Sequence, residues 1–475
     1  MIGVNKIYLE VLDMEFREEM DSVGSKKVPK DAYYGIQTLR GYENFRISGL
    51  TLDKDFIKTL AIVKKACAIT NYEVGELDEK LKDAIVKACD EIIEGKYIDQ
   101  FILDPVQGGA GTSMNMNMNE VVANIANEML GCEKGLRHPV HPNDHVNMGQ
   151  STNDVIPTAG LINCHILLKQ CLEQLKNFEE ALLNKGKEFE HVIKMGRTEM
   201  QDAVPISLGA EFTSYARAIR RDINRLKERL DDLLVVNIGG TAIGTGINAN
   251  PEYEKKIAIT LRNLTGLNIK QSDDLVDSTQ NADIIAALSG DLKVCAINVS
   301  KIAGDLILMS SGPRTGFGEI TLPARQNGSS IMPGKVNPVM AELLKEISFQ
   351  IMGNDTTITL AAQSGQLELN AFYPIMFANM FQSIKILANG IHTATVNCIN
   401  GIEANGNLCK RLVERSIGIV TAFAPIIGYD KAAHIAKLAL KNDKNVKDVI
   451  KEELNITEDE MSKILDIAKM ANVNK

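Results

Sequence analysis

Apolar residues recur every three or four positions through several long stretches of the chain. One such stripe runs from Phe212 to Leu233, and charged residues fill the positions between. This spacing is typical of an amphipathic α-helix and predicts about six helical turns. Proline, which breaks helix interiors, is absent from the stripe and from three further windows with the same period. These windows are 161–192, 284–310 and 340–363.

Helices of about 30 residues imply an all-α protein built on an elongated bundle about 45 Å long. Strands are scarce, and the clearest candidate is the short segment 97–103. The pattern predicts an N-terminal helical domain (1–150), a central helix-bundle domain (151–403) and a small C-terminal helical domain (404–475). Because one subunit is not expected to cover all the apolar stripes of such long helices, we expect a homo-oligomer.

Composition narrows the class of protein. The 475 residues include 52 Lys and Arg, 61 Asp and Glu and no Trp, so the formal net charge is −9. Nucleic-acid binding is not expected, since it needs basic patches and aromatic rings for stacking. The first 20 residues carry acids and show no leader, no run of about 18 uncharged apolar residues occurs, and the eight scattered Cys form no CxxC pair. We therefore expect a cytoplasmic protein with reduced thiols and no membrane span.

Four stretches interrupt the helical pattern with clustered Gly, Ser, Thr and Asn. Each alone is typical of a helix junction, because these residues cap helices and make turns. Together they offer many neutral hydrogen-bond donors, one Lys and one Arg, with few acids. That combination is typical of a pocket for a small anion carrying carboxylates. The stretches are 108–117, 150–154, 196–202 and 328–338.

The Gly-rich pieces do not fit nucleotide-binding motifs. Residues 108–112 lack the GK[ST] ending of a P-loop, and 244–246 lacks the third Gly and the strand context of a dinucleotide fold. His138, His141 and His145 are close in sequence, but the prolines between them favour a structural role over metal ligation. We therefore expect neither a nucleotide site nor a metal site.

The run GSSIMPGKVNP at 328–338 resembles the signature of the fumarase/aspartase superfamily. The resemblance implies a three-domain, mostly helical fold whose five-helix bundles form a twenty-helix core in a homotetramer. It also implies active sites shared by three subunits and no required organic cofactor, and it leaves activation by a divalent cation such as Mg²⁺ open. Further matching segments, in the superfamily's order, are DAYYGIQTLR (31–40), GTSMNMNMNE (111–120), HPNDHVN (141–147), STND (151–154), GRTEMQDAVP (196–205), GGTAIGTGIN (239–248) and IGYDKAAHIAK (427–437).

Within the superfamily, most of the segments favour the aspartase branch. GGAGTS at 108–113 and STN at 151–153 are similar to that branch, whereas PGK at 333–335 and IGYDK at 427–431 are closer to class II fumarases. The expected reaction is the reversible elimination of ammonia from L-aspartate to give fumarate. The alternative is the hydration of fumarate to malate.

Two further alternatives are less favoured. Some superfamily members are non-catalytic structural proteins, but every polar residue that the reaction requires is present here. Substrates such as argininosuccinate or adenylosuccinate would need a wider site than the STND and GGAGTS segments suggest.

The resemblance assigns a role to each polar residue of these segments. Ser329 is the expected base that removes the Cβ proton, and Lys335 with the N–H groups of a Gly-flanked loop would stabilise its alkoxide. The charge that develops on the β-carboxylate would be held by donors from Thr112, Ser151, Thr152 and Ser330. Lys335 and Asn337 would bind the α-carboxylate. Thr112, Asn153 and Thr198 would hold the amino group.

Glu199 departs from the pattern, since the superfamily carries His or Gln after the matching Thr. An acid there attracts an ammonium group, which agrees with an amino-acid substrate. Glu342 matches the supporting acid that pairs with the fumarase His. Glu199 and Glu342 are therefore like charges, and one is expected to hold a proton unless Lys335 separates them.

Overall fold

The computed structural model describes residues 15–471, apart from the side chain of Ser462. Most of the N-terminal stretch in which no leader is expected lies outside these residues. The described chain is mostly helical, as predicted. Its α-helices are α1 (Ile36–Asn44), α2 (Lys54–Glu73), α3 (Glu79–Ile93), α4 (Thr112–Met129), α5 (Thr152–Glu188), α6 (Leu208–Asp232), α7 (Pro251–Thr265), α8 (Leu275–Gln280), α9 (Asp283–Met309), α10 (Val339–Gln363), α11 (Tyr373–Asn397), α12 (Gly406–Arg415), α13 (Ala424–Ile427), α14 (Tyr429–Lys441), α15 (Val446–Leu454), α16 (Glu458–Ile464) and α17 (Ile467–Met470).

The long helices follow the predicted windows. Helices α9 and α10 begin and end within one residue of the predictions 284–310 and 340–363, and α6 confirms the stripe at 212–233. The prediction at 161–192 is confirmed as far as Glu188, where α5 ends, four residues before the predicted end; α5 begins nine residues before the predicted start.

Short strands form two-stranded sheets in the described chain. These are the antiparallel pairs β1 (Phe16–Asp21) with β2 (Gly24–Pro29), β3 (Ile193–Thr198) with β4 (Gln201–Ser207) and β7 (Ile320–Thr321) with β8 (Glu403–Ala404), and the parallel pair β5 (Val235–Val236) with β6 (Lys270–Gln271). The predicted strand at 97–103 is wrong. Tyr97 has a left-handed backbone (φ 59°) and is followed by a turn of 3-10 helix at Ile98–Gln100, so the chain is not extended there.

Helix α5 is the one described helix that is long and apolar enough to cross a membrane, with a mean hydropathy of 1.3 over its most apolar 18-residue window. Within the protein, 83% of that window is buried. Core helices of soluble proteins commonly combine this length and composition with such burial, so α5 is a buried core helix.

Contacts between Cα atoms group the described chain into two units. The first contains the chain up to Gln170, Leu226–Leu292 and Ile351–Lys385, and the second contains Cys171–Arg225, Lys293–Gln350 and the chain from Ile386 onward. In the first unit, α2 packs against α3 and α7, and α3 packs against α4. In the second unit, the β3–β4 hairpin packs against α12, and α14 packs against α15. The division into three domains stays a prediction.

Candidate active site

The first group of predicted site residues lies where two helices of the first unit begin. Thr112 is the first residue of α4, Thr152 is the first residue of α5, and Ser151 precedes it. The two helix ends are adjacent, because Nδ2 of Asn115, in the first turn of α4, lies 3.1 Å from Oγ1 of Thr152. Helix N-termini present unpaired N–H groups and a partial positive charge, which suits a carboxylate ligand.

Thr112 follows a run of left-handed residues. Gly109, Ala110 and Gly111 have φ angles of 86°, 58° and 92°. The Thr112 hydroxyl donates to the carbonyl oxygen of Gly109 at 2.8 Å. Because this bond uses the hydroxyl hydrogen, the lone pairs of Thr112 Oγ1 remain for a donor on a ligand.

Ser151 caps α5. Its Oγ accepts the N–H of Asn153 at 3.2 Å, and its own N–H donates to Oδ1 of Asp154 at 2.9 Å. This reciprocal pair is the helix-junction role that Ser and Asp commonly have. Asn153 donates through Nδ2 to the carbonyl oxygen of Ala242 at 2.8 Å, so its side-chain oxygen is left as an acceptor.

Two fully buried ionisable groups adjoin these helix ends, and neither was predicted from the sequence. Oδ2 of Asp154 accepts the N–H groups of Gly239 and Thr241, each at 3.1 Å, and burial raises the pKa of Asp154 to about 7. Lys64 lies in α2, and burial lowers the pKa of its ammonium to about 8. A lysine within the apolar run AIVKKACA was the available signal.

Thr198 and Glu199 lie at the tip of the β3–β4 hairpin in the second unit, where both are exposed. Glu199 and Met200 have φ angles of 52° and 65°, as a tight turn with two left-handed residues requires. Arg197, just before the tip, donates through Nη1 to Oε1 of the fully buried Glu319 at 2.8 Å. The tip is therefore presented to solvent from an anchored base.

The loop at 328–338, also in the second unit, carries the expected base. Oγ of Ser329 accepts the N–H of Ile331 at 3.2 Å and that of Met332 at 2.9 Å. The base of the loop is closed by Nδ2 of Asn337, which donates to the carbonyl oxygen of Gly328 at 2.7 Å. Ser329 and Lys335 line a cavity of about 560 Å³ beside this loop.

The remaining predicted groups of the second unit are exposed. Ser330 and Lys335 lie on the outer part of the loop, and Glu342 lies in the first turn of α10. Within residues 15–471, no hydrogen bond or ion pair joins Glu199, Glu342 and Lys335 to one another. The like-charge interaction expected between Glu199 and Glu342 stays a prediction.

His141 and His145 have the predicted structural role. Nδ1 of His141 accepts the N–H groups of Asn143 at 3.2 Å and Asp144 at 3.1 Å, and so caps the turn at Pro142–Val146. Nδ1 of His145 accepts the N–H of His141 at 2.9 Å. Among the residues that the structure describes, no group of three or more His, Cys, Asp or Glu is placed to hold a metal ion.

Comparison with known proteins identifies the family. A lyase family model matches residues 24–353, and a model of the fumarase C C-terminus matches 419–472. The chain is 52% identical to an aspartate ammonia-lyase of Bacillus subtilis over 96% of both chains. It is 48% identical to an aspartate ammonia-lyase of Helicobacter pylori over 94% of this chain and 96% of the relative. The chain belongs to the fumarase/aspartase superfamily.

Solved structures of the superfamily have the same fold. A cobalt-bound crystal structure from Brucella melitensis, described as fumarate lyase:delta crystallin, is 46% identical, with a TM-score of 0.92 over 96% of this chain and 100% of that one. A class II fumarase from Schistosoma mansoni is 35% identical, with a TM-score of 0.93 over 97% of this chain and 100% of that one. The predicted superfamily membership and helical fold class are therefore confirmed.

Proposed function

We propose that this chain catalyses the reversible elimination of ammonia from L-aspartate to give fumarate. The observation that carries the proposal is the identity of 44–52% to aspartate ammonia-lyases along nearly the whole chain. The identity to the class II fumarase of known structure is lower, at 35%. The hydroxyl-lined helix ends of the first unit support a dicarboxylate substrate, because they offer donors and partial positive charge to an anion.

The difficult step is removal of a proton from Cβ, which is hardly acidic. We assign that step to the alkoxide of Ser329, which takes the proton while the C–H electron pair moves onto the β-carboxylate as an enediolate. When that pair returns, the Cα–Cβ double bond forms and the C–N bond breaks, so that ammonia leaves. The N–H groups of Ile331 and Met332 on Ser329 Oγ support this assignment, since donors to an oxygen stabilise its anionic form.

The enediolate places negative charge on the β-carboxylate. We assign its stabilisation to the hydroxyls of Ser151, Thr152 and Ser330, and to that of Thr112 when it turns away from the carbonyl oxygen of Gly109. Donors fixed before the reaction stabilise a developing charge without reorganising, and the buried surroundings of Thr152 support this role.

The α-carboxylate of the substrate needs a cationic partner, and its amino group needs hydrogen-bond acceptors. We assign the α-carboxylate to Lys335 and Asn337, and the amino group to Thr112, Asn153 and Thr198. Acceptor oxygens left unused on Thr112 and Asn153 support binding of an ammonium. The exposed carboxylate of Glu199 would add attraction for the same group, and Glu342 would act as a supporting residue.

We also propose a cytoplasmic homotetramer whose active sites combine segments of three subunits. Large apolar side chains on the long helices support association, since Ile297, Leu308, Phe349 and Val396 are between 42% and 56% exposed. The eight cysteines are free thiols, as in a reducing compartment. The mass in solution, expected at four times 52.0 kDa, tests the assembly.

The deciding experiment is ultraviolet detection of fumarate from L-aspartate and, in parallel, from L-malate. Each substrate is assayed with and without Mg²⁺, which also tests activation by a divalent cation. Fumarate from aspartate alone is the expected result. Fumarate from malate alone would overturn the proposal in favour of a fumarase.

Subunit mixing tests the shared site. Ser329→Ala and Thr152→Val chains are each expected to lose roughly 10²-fold or more of their activity. After dissociation and reassembly together, about a quarter of the sites should combine an intact Ser329 from one chain with an intact Thr152 from another. No recovery of activity would mean that each site is built from one chain.

A further inference from the structure

The buried side chains around Thr152 determine where its hydroxyl hydrogen points. Oγ1 of Thr152 accepts an N–H of Asn115 at 3.1 Å, and Thr152 is only 8% exposed. Within the described residues, no acceptor takes the hydrogen of Thr152 itself. Because the oxygen is occupied as an acceptor, the hydrogen is left for a ligand.

Lys64 determines which way the neighbouring side-chain amides face, and so which atom donates to Thr152. Its Nζ lies 2.8 Å from Oε1 of Gln150 and 3.1 Å from Oδ1 of Asn147. A lysine ammonium has three donors and no acceptor, so both partners must present oxygen atoms to it. The orientation of the Asn147 amide is therefore fixed by its neighbour.

The fixed amide of Asn147 in turn fixes the orientation of the Asn115 amide. Oδ1 of Asn147 lies 3.1 Å from Nδ2 of Asn115 and 3.1 Å from Nδ2 of Asn119. An oxygen that already faces an ammonium needs donors, so Asn115 turns its nitrogen toward it, and the second N–H of that nitrogen reaches Thr152. Turning the Asn115 amide around would set two acceptor oxygens against each other.

This orientation of Asn115 leaves one of its polar atoms unpaired, which destabilises the folded protein. Oδ1 of Asn115 is buried and has no hydrogen-bond partner in the described chain, and Asn115 is only 2% exposed. A buried polar atom without a partner costs about 1–3 kcal/mol. Oδ1 of Asn117 and Oδ1 of Asn119 are likewise buried without a partner in the described chain, so the bond to Thr152 is what distinguishes Asn115.

We propose that Asn115 is a positioning residue, which receives a fixed donor direction from Lys64 through Asn147 and so aims the Thr152 hydroxyl hydrogen at the substrate carboxylate. The inference rests on the proposed function, because it takes Thr152 to face that carboxylate. It goes further in naming a residue that does not touch substrate, and in making a buried lysine the origin of the donor direction.

A matched pair of isosteric variants tests the direction. Asn115→Asp replaces the donor by an acceptor, so the Thr152 hydrogen turns toward Asp and away from substrate. Asn119→Asp makes the same change on the same partner, Asn147, one turn along α4, and within residues 15–471 Asn119 makes no hydrogen bond to Thr152. We expect kcat for fumarate formation to fall about 100-fold in the first variant and less than about threefold in the second.

Thermal unfolding of both variants shows whether they fold equally well. Similar losses of kcat in the two would overturn the proposal, because the shared bond to Asn147 would then be responsible. If Asn115→Asp does not fold, Asn115→Ala replaces it in the double-mutant cycle that follows, with an expected loss of about tenfold, since the hydroxyl then rotates freely.

A double-mutant cycle with Thr152→Val separates positioning from general structural damage. If Asn115 acts through the Thr152 hydroxyl, removing Asn115 from the Thr152→Val enzyme leaves kcat unchanged. Losses that multiply in the double variant would overturn the proposal. In Thr152→Ser, which keeps the hydroxyl, the effect of Asn115 should return.

The wild-type assay keeps this inference distinct from the proposed function. If the wild-type enzyme acts on malate and not on aspartate, the proposed function fails, and the cycle is run with malate, which carries the same carboxylates. If neither substrate reacts, the affinity of each variant for succinate, measured by calorimetry, replaces kcat. A weaker affinity in Asn115→Asp than in Asn119→Asp is then the expected result, and equal affinities would overturn the inference.

Discussion

Thr152 and Ser329 carry the two hydroxyls at the centre of the proposed reaction, and their surroundings contrast. Thr152 begins a buried helix, and side chains fixed by Lys64 hold its oxygen. Ser329 lies on a loop whose neighbour Ile331 is 83% exposed, and its Oγ bonds are to N–H groups of the loop itself. The charge-stabilising hydroxyl proposed at Thr152 is buried, whereas the proposed base lies on a largely exposed loop.

The two hydroxyls place different requirements on the structure around them. Donors to a developing anion must be in place beforehand, which requires burial and paired polar neighbours. A base on an exposed loop has few native contacts, so the loop is free to close over substrate. Changes at the loop should therefore alter rate and spare stability, while changes around Thr152 should alter both.

The largest expected effect is at the base. In Ser329→Ala, kcat should fall by roughly 10²–10⁴ because no group remains to take the Cβ proton. The midpoint of thermal unfolding should stay near that of the wild type, since within the described chain the side chain hydrogen-bonds to its own loop. Fumarate formation and thermal unfolding measure the two quantities. Ser364→Ala, at the exposed end of α10, is the control and should change neither.

Substitutions at Gly328 and Gly334 test whether the backbone shape of the loop affects kcat as well as its reacting side chain does. A Cβ at Gly328 would lie 2.1 Å from the carbonyl oxygen of Lys335, so Gly328→Ala must reshape the turn that carries Ser329. A displacement of about 1 Å costs roughly 10²-fold in rate, which we expect for kcat. At Gly334 a Cβ would meet open space and only the φ of 81° opposes it. Gly334→Ala should therefore lose much less activity, and equal losses would contradict this account.

Asp154 tests the buried region through stability. Its pKa is about 7 in the folded protein against 3.8 ordinarily, so the folded state keeps a proton that the unfolded chain releases. This group therefore contributes stability that is complete below its ordinary pKa and is lost as pH rises through about 7. Asp154→Asn removes the titration and weakens the bonds to Gly239 and Thr241.

We expect Asp154→Asn to be less stable than the wild type, and the deficit to shrink by about 1.5 kcal/mol between about pH 5.5 and pH 7. Urea unfolding of both proteins at several pH values measures it. A deficit that does not depend on pH would show that Asp154 has an ordinary pKa in the folded protein.

The same contrast explains what the sequence could and could not predict. The periods of α9 and α10 are regular, so their bounds were predicted within one residue. The start of α5 was missed because Pro157 lies in its second turn and removes the N–H that would bond to the carbonyl oxygen of Asn153. The side chain of Asn237 donates to that oxygen instead, at 2.9 Å. A partner 84 residues away leaves no trace in local periodicity.

Site residues were likewise predictable from the sequence where the signal is local, and not where it depends on a distant partner. Residues within one loop or helix start, such as Ser329 and Thr152, stand out from the scaffold through clustered polar residues. The sequence assigned no role to Lys64 or to Asn115, because each lies in a helix and its proposed role depends on a partner from another segment. The available signal was the run NMNMN, in which polar asparagines alternate with methionines on a buried helix.

The smallest expected effect is at Glu199, which is as exposed as the Ser329 loop but acts by charge alone. Glu199→Gln should raise KM for aspartate by up to roughly fivefold and leave thermal unfolding unchanged, since an exposed charge pair is worth up to about 1 kcal/mol. The difference in KM should shrink at high salt, because salt screens exposed charges. Glu190→Gln, an exposed acid outside the hairpin tip, is the control. An unchanged KM in Glu199→Gln would mean that Thr112, Asn153 and Thr198 hold the amino group without help from charge.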